Sequence, residues 1–265
     1  MPLFSQTQGK AENPTLVFLH GFLGNSDEWS ETIDHLKTDY YCVCLDLPGH
    51  GHSVTSTPPL EEGFAYCHRL IRQALDDLEV KQYSLIGYSL GGRIALDYAR
   101  TQNDPYLQHL ILESCHTGLT TQADKEQRYK HDLNWAKRFA TESVMQSVYE
   151  WYEQAIFSDL SCQEKDLFIK KRSHNYGVCL ANMLLATSLS KQTDILPYLQ
   201  NNSLKVKPLT IAYCFGERDL KFKKIADKLS RQTDVKVTEF DAVGHNIHHQ
   251  SPLKYAQYIM QQITI

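Results

Sequence analysis

No sign of charge dominates this chain. Its 27 lysines and arginines stand against 31 aspartates and glutamates, a formal net charge of -4. It therefore lacks the one-sided field that draws proteins to phosphate backbones or anionic lipid, and neither is expected as a partner. Long apolar runs are missing as well. Nowhere do about eighteen apolar residues follow one another, and the opening MPLFSQTQGKAENP has no cationic flank ahead of a signal-length apolar stretch. Membrane insertion and export are not expected; the expected location is the cytoplasm. The seven cysteines (42, 44, 67, 115, 162, 179 and 214) are odd in number and without metal-type spacing. Cys42 and Cys44 alternate with apolar residues in a strand-like run, as buried free thiols in a reducing compartment do. Repeats and low-complexity segments are also absent.

What is present is an alternation of short apolar runs and helical stretches over 265 residues, enough for one α/β domain with an insertion. Runs at 15–20, 41–47, 83–88 and 107–113 are rich in Leu, Val, Ile, Tyr and Phe and read as buried strands. Amphipathic stretches at 27–36, 60–78 and 90–100 read as crossover helices, so a mostly parallel central sheet flanked by helices is expected. From residue 116 strand signals stop for about ninety residues, and 122–139, 144–157 and 163–189 look helical. Strands resume at 208–215 and 235–240, with a helix at 221–231 between them. Ser251 and Pro252 then suit the cap and first position of a last helix. The chain thus divides into a first core segment (1–115), an all-helical lid (116–205) and a second core segment (206–265).

The strongest local signal is Gly87-Tyr88-Ser89-Leu90-Gly91-Gly92, placed where a strand ends and a helix begins. A nucleophilic serine needs that context: a tight strand-to-helix turn, closed by small neighbours, that exposes its hydroxyl. An acid and then a histidine should follow, each on a loop after a later strand. Asp219 and His245 meet that condition; Glu217 is a competing acid, and Asp219 could instead be a solvated loop carboxylate or a helix cap. Backbone N–H groups of Leu90, after the nucleophile, and of Phe22, in the turn His20-Gly21-Phe22, are candidates for an oxyanion hole. The glycine-rich loop at 46–53 reads as structural. His50-Gly51-His52 and the pair His248 and His249 lack metal-ligand spacing, so no metal is expected.

With these residues in place, the chain resembles the α/β-hydrolase superfamily over almost its whole length. His-Gly-Phe at 20–22, Asp-Leu-Pro-Gly-His-Gly at 46–51, the turn at 87–92, Gly-Glu-Arg-Asp at 216–219 and Gly-His at 244–245 match in order. The turn extended to Arg93, the run 216–222, Gly-His-Asn at 244–246, and Trp151-Tyr152, Arg172-Ser173-His174-Asn175 and 183–189 in the lid are similar to one family within it, the pyruvate-eliminating lyases of menaquinone biosynthesis. That resemblance implies a small tricarboxylate substrate, no cofactor, and proton abstraction by a Ser89–His245–Asp219 triad without an acyl-enzyme. It also implies that Arg93, Arg128 and Arg172 bind carboxylates, as guanidinium forks do. Tyr88, beside the nucleophile, and Trp151 are candidates for lining the pocket, and equally for packing in the lid or core. A serine carboxylesterase, thioesterase or carbon–carbon hydrolase would use the same triad, and a ligand receptor could retain it. Three cations distinguish these, since an apolar ester pocket has no use for them. Oligomeric state is not legible; a monomer suffices for this chemistry.

Overall fold

The computed structural model describes residues 2–204 and 208–263. Among these residues seven strands form one sheet: β1 (Ser5–Gln8), β2 (Thr15–Leu19), β3 (Tyr41–Leu45), β4 (Tyr83–Tyr88), β5 (Leu107–Glu113), β6 (Thr210–Gly216) and β7 (Lys236–Phe240). Their order is β1-β3-β2-β4-β5-β6-β7, with β1 antiparallel to β3 and every other pair parallel. The central strands are buried on both faces, which is why they read as unbroken apolar runs. In β2, Val17 and Leu19 join one core while Leu16 and Phe18 join the other.

Helices cover both faces. α2 (Gly63–Asp77), α3 (Leu90–Gln102) and, further along the chain, Phe222, Ala226 and Leu229 pack on one core; Ile33 of α1 (Ser30–Asp34) and Tyr255, Ala256 and Ile259 near the end of the chain pack on the other. Between β5 and β6 the described residues form helices and turns without a strand: α4 (Gln122–Thr141), α5 (Val144–Tyr152), α6 (Cys162–Arg172), α7 (Gly177–Ala186) and α8 (Leu196–Gln200). α4, α5, α6 and α7 have an apolar centre of their own, with Phe139, Val148, Tyr152, Phe168, Leu180 and Leu184 in it. After β6 come α9 (Leu220–Gln232), α10 (Ile247–Gln250) and α11 (Pro252–Ile263).

The expectations need correction in several places. The edge strand β1, sequence SQTQ, is polar and carries no strand signal of its own. The stretch 163–189 is two helices, because Asn175 leaves the helical path and donates from Nδ2 to the carbonyls of Leu23 and Arg172 (2.9 and 3.0 Å). The stretch 144–157 is α5 followed by one short turn at Ala155–Phe157, and the stretch 27–36 is a short 3-10 turn leading into α1. Of the seven free thiols five are buried, while Cys179 is half-buried and Cys162 exposed. The boundary expected between 205 and 206 lies outside the described residues.

Candidate active site

The site sits at the carboxyl ends of the central strands, where an open parallel sheet leaves a crevice between diverging connections. β4 ends at Tyr88, α3 begins at Leu90, and Ser89 between them has φ 49° and ψ −106°. A non-glycine residue rarely holds a positive φ, and the surroundings enforce it. The Ser89 N–H donates to the Glu113 carbonyl (2.9 Å) and its own carbonyl accepts from the Arg93 N–H (3.0 Å). The turn closes only because its neighbours lack side chains: a Cβ on Gly91 would lie 2.2 Å from the Leu19 carbonyl oxygen, and one on Gly87 2.7 Å from that of Gly91.

His245 lies on the loop after β7. Its Nε2 is 3.3 Å from Ser89 Oγ, within proton-transfer reach. Its Nδ1–H donates to Asp219 Oδ2 at 2.6 Å. Asp219 is also the cap of α9, its Oδ1 accepting the Phe222 N–H (3.3 Å). The two alternatives for this residue, helix cap and histidine partner, thus hold together. Glu217 is used elsewhere, accepting the Ala242 N–H (2.8 Å). The acid and base loops touch backbone to backbone, with Arg218 N–H donating to the Val243 carbonyl (3.0 Å). The Phe222 ring stacks on His245 at 4.8 Å and fixes its plane.

Phe22 and Leu90, the two residues expected to offer backbone N–H groups, both line the cavity that opens over Ser89. Neither Phe22 N–H nor Leu90 N–H donates to an acceptor among the described residues. The turn carrying Phe22 is stitched to the loop after β3 by two buried histidines: His20 Nε2 accepts from Leu47 N–H (2.9 Å), and His50 Nε2 accepts from Leu23 N–H (3.1 Å). Burial drives the His50 imidazole down to about 3, so it stays the neutral acceptor that this bond requires. The loop at 46–53 is structural here too, since the Asp46 carboxylate accepts the N–H groups of Ser26 and His52 (2.6 and 2.7 Å). The Phe22 ring packs on Trp151 (5.0 Å) and Phe139 (5.6 Å), tying the turn to the helices above it.

A cavity of about 600 Å³ opens over Ser89, lined among others by Phe22, Tyr88, Leu90, Arg93, Arg128, Trp151, Arg172 and His245. All the expected site residues thus border one space, except Asp219, which stands behind His245. The three arginines are not equivalent. Arg93 is 8% exposed, donates to the Thr187 carbonyl (2.9 Å), and among the described residues has no carboxylate within 4 Å. Burial, reinforced by the charge of Arg128, pulls it down to about 10. Arg128 sits in the second turn of α4, not at its start, and its Nε donates to buried Asp132 (2.7 Å). Arg172 pairs with Glu28 and Tyr152. Burial alone would lower its pKa, but Glu28, Tyr152 and Tyr88 raise it.

Several lining residues are not apparent from sequence, among them Lys221, His116, His131 and Gln154. The Lys221 signal lies inside the run Gly-Glu-Arg-Asp-Leu-Lys-Phe, two residues after the acid. Burial, then the charges of Lys221 and Arg93, push His116 down to about 3, leaving it neutral. Among the described residues no three His, Cys, Asp or Glu side chains are grouped to hold a metal ion, and no helix is long and apolar enough to cross a membrane.

A seven-stranded, mostly parallel sheet with a strained serine after its central strand, a later acid and a final histidine defines an α/β hydrolase, and the model of the α/β-hydrolase fold family matches residues 14–252. The 2-succinyl-6-hydroxy-2,4-cyclohexadiene-1-carboxylate synthase of Yersinia enterocolitica is 37% identical over 95% of this chain and 87% of its own. That of Photorhabdus laumondii is 36% identical over 97% and 88%. The solved structure of MenH from S. aureus superposes with a TM-score of 0.86 at 27% identity, covering 98% of this chain and 97% of that one. A thermophilic esterase from Thermogutta terrifontis, at 19% identity and TM-score 0.77, shares the fold. The chain belongs to the α/β-hydrolase family and, within it, to the 2-succinyl-6-hydroxy-2,4-cyclohexadiene-1-carboxylate synthases.

Proposed function

We propose that this chain eliminates pyruvate from 2-succinyl-5-enolpyruvyl-6-hydroxy-3-cyclohexene-1-carboxylate, giving 2-succinyl-6-hydroxy-2,4-cyclohexadiene-1-carboxylate, a step of menaquinone biosynthesis. The observation that carries this reading is the charge of the cavity over Ser89. A guanidinium buried without a carboxylate partner is costly in an empty protein and useful only when an anion completes it. Arg93, four residues after the nucleophile, is in that state: its partners, the Thr187 carbonyl and Gln192 Oε1 (2.9 and 3.5 Å), are both neutral. Membership of the synthase group supports the same substrate class.

The chemistry follows from the donors and acceptors present. His245, held by Asp219, takes the proton of Ser89, and the alkoxide removes a proton from the ring carbon next to the succinyl carbonyl. The developing negative charge spreads onto that carbonyl oxygen, where the N–H groups of Phe22 and Leu90 stabilise it. As the charge returns, a double bond forms from the succinyl-bearing ring carbon to its neighbour, the existing ring double bond shifts one position towards the carbon bearing the enolpyruvyl group, the carbon–oxygen bond there breaks, and the departing enolate takes the proton from His245 to become pyruvate. Ser89 keeps the proton taken from the ring carbon and His245 is neutral again, which is the resting triad. No water or acyl intermediate takes part. Tyr88 and Trp151 wall the cavity, and Arg128 and Arg172 add carboxylate contacts. No cofactor is called for.

The test is pyruvate release from the tricarboxylate, made in situ by the preceding enzymatic step. Wild type should release it well above the spontaneous rate, and Ser89→Ala should lose at least about 1,000-fold, the scale of losing a triad member. Wild-type release at the spontaneous rate would overturn the assignment.

A further inference from the structure

We propose that Lys221 is a substrate-binding residue, and that Lys221 and Arg93 together form the principal carboxylate seat of the cavity. This rests on the lyase reading above and deepens it.

Among the described residues four Lys and Arg side chains line the cavity, and they fall into two pairs. Arg128 and Arg172 have internal carboxylates, Asp132 and Glu28. Arg93 and Lys221 have none within 4 Å among the described residues, although Asp219 stands only two positions from Lys221 in sequence. Asp219 faces the other way, its oxygens committed to His245 and to the start of α9. Lys221 is the second residue of α9, so the cap that orients the catalytic histidine also fixes where this lysine stem leaves the backbone. Its ammonium lies 5.3 Å from the centre of the Phe222 ring, the ring stacked on His245. Lys221 is itself exposed, so its charge stands at the mouth of the cavity, beside the ring that packs on the catalytic histidine.

The two unpaired cations sense each other. The Lys221 pKa is lowered, first by partial loss of hydration at the cavity wall and then by the charges of Arg128 and Arg93, with Asp219 and Asp132 acting the other way, and Lys221 in turn is among the charges that keep His116 neutral. Like charges gathered with no carboxylate within ion-pair distance of either repel one another, and an anion between them relieves that repulsion and replaces neutral partners, the Thr187 carbonyl and the Gln192 amide on Arg93, with a charged one. An arginine fork beside a lysine point charge suits a carboxylate with one planar and one adaptable partner. The internally paired arginines instead bind a second anion only by sharing or displacing their own carboxylates. Loss of Lys221 should therefore cost nearly as much as loss of Arg93, although Lys221 lies outside the arginine set.

The experiment uses the full chain with Lys221→Met and Lys221→Arg. Pyruvate release gives kcat/KM, and labelling of Ser89 by a neutral phosphofluoridate reports the triad without any carboxylate contact. Propane-1,2,3-tricarboxylate is the probe for the seat, read as protection of Ser89 from labelling. Expected for Lys221→Met are a fall of about 10- to 100-fold in kcat/KM, the usual scale for losing one charged hydrogen bond, and a similar weakening of protection by the probe. Labelling in the absence of probe should stay within about twofold of wild type, and Lys221→Arg should recover most of both losses. Unchanged kcat/KM and protection would overturn the proposal. So would a matching loss of probe-free labelling, which would assign Lys221 to the structure of the acid loop. If wild type releases no pyruvate, the lyase reading falls by itself, while probe protection still decides whether Lys221 holds an anion.

Discussion

Arg93 shows how one side chain can cost stability and supply function. Its pKa falls from the ordinary arginine value to about 10 because burial disfavours the charged form, and every tenfold weakening of proton affinity corresponds to about 1.4 kcal/mol. Removing the charge should therefore help the folded state while harming the substrate complex, the trade-off expected where a site is strained for its ligand. Arg93→Met should raise the Tm by a few degrees and lower kcat/KM for the tricarboxylate by about 100-fold or more, the scale of a lost charge-assisted pair. A lowered Tm with unchanged turnover would show Arg93 to be a packing residue. Ser89, Asp219 and His245 are legible in the sequence because chain order and position after strands restrict each of them. Glu28 is not: it meets Arg172 across 144 residues, and no local pattern announces a pair that only the fold creates. Lys221 falls within a recognisable run but has no role there, because its meaning depends on what it faces.

At the scale of elements, the turn from β4 to α3 is the part least able to change. Gly91 lets α3 start directly against the end of β2, and the atom its Cβ would meet is a main-chain oxygen, which cannot swing away. Gly91→Ala should cost about 3 kcal/mol or more by overpacking, lowering the Tm by about 10 °C and abolishing Ser89 labelling; normal labelling with an unshifted Tm would contradict this crowding. Elements with an apolar face are readable, because their periodicity is the burial pattern itself. β1 is not, since a short polar edge strand carries no hydrophobic signal. The break between α6 and α7 is hidden for a different reason. Asn175 leaves the helix to bond the Leu23 carbonyl, a tertiary contact that overrides helical preference and joins the helices above the site to the turn carrying Phe22.

At the scale of the whole molecule, the fold depends on keeping several histidines uncharged. Burial drives His50 and His116 down to about 3 and His68 down to about 4, and lowers His20 as well. The unfolded chain protonates the same groups near 6.5, so it binds more protons at any pH between. Stability is therefore full above about pH 6.5 and is lost progressively as the pH falls towards 4. Urea unfolding between pH 7.5 and 4.5 should show several kcal/mol of loss over that window, about 1.4 kcal/mol per histidine for each step of one in pH below 6.5. Turnover should fall alongside, because His50 and His20 hold the turn that carries Phe22. A flat profile would mean that these histidines are free to charge in the folded state. The overall architecture is the most legible level of all, since the alternation of strands and helices is repeated along the chain and the fold shared with the Thermogutta esterase is widely used. Activity is not readable at that level and resides in the cavity's charges.

The most direct measurement compares two reactions in one preparation: kcat/KM for pyruvate release from the tricarboxylate, and kcat/KM for hydrolysis of a neutral aryl ester, with the protein mass monitored for an acyl adduct on Ser89. A cationic cavity should favour elimination by at least about 1,000-fold, several charge-assisted contacts acting together, with no acyl adduct. Rapid ester hydrolysis through an acyl-Ser89 intermediate, with pyruvate appearing only at the spontaneous rate, would contradict the assignment and make this chain a hydrolase.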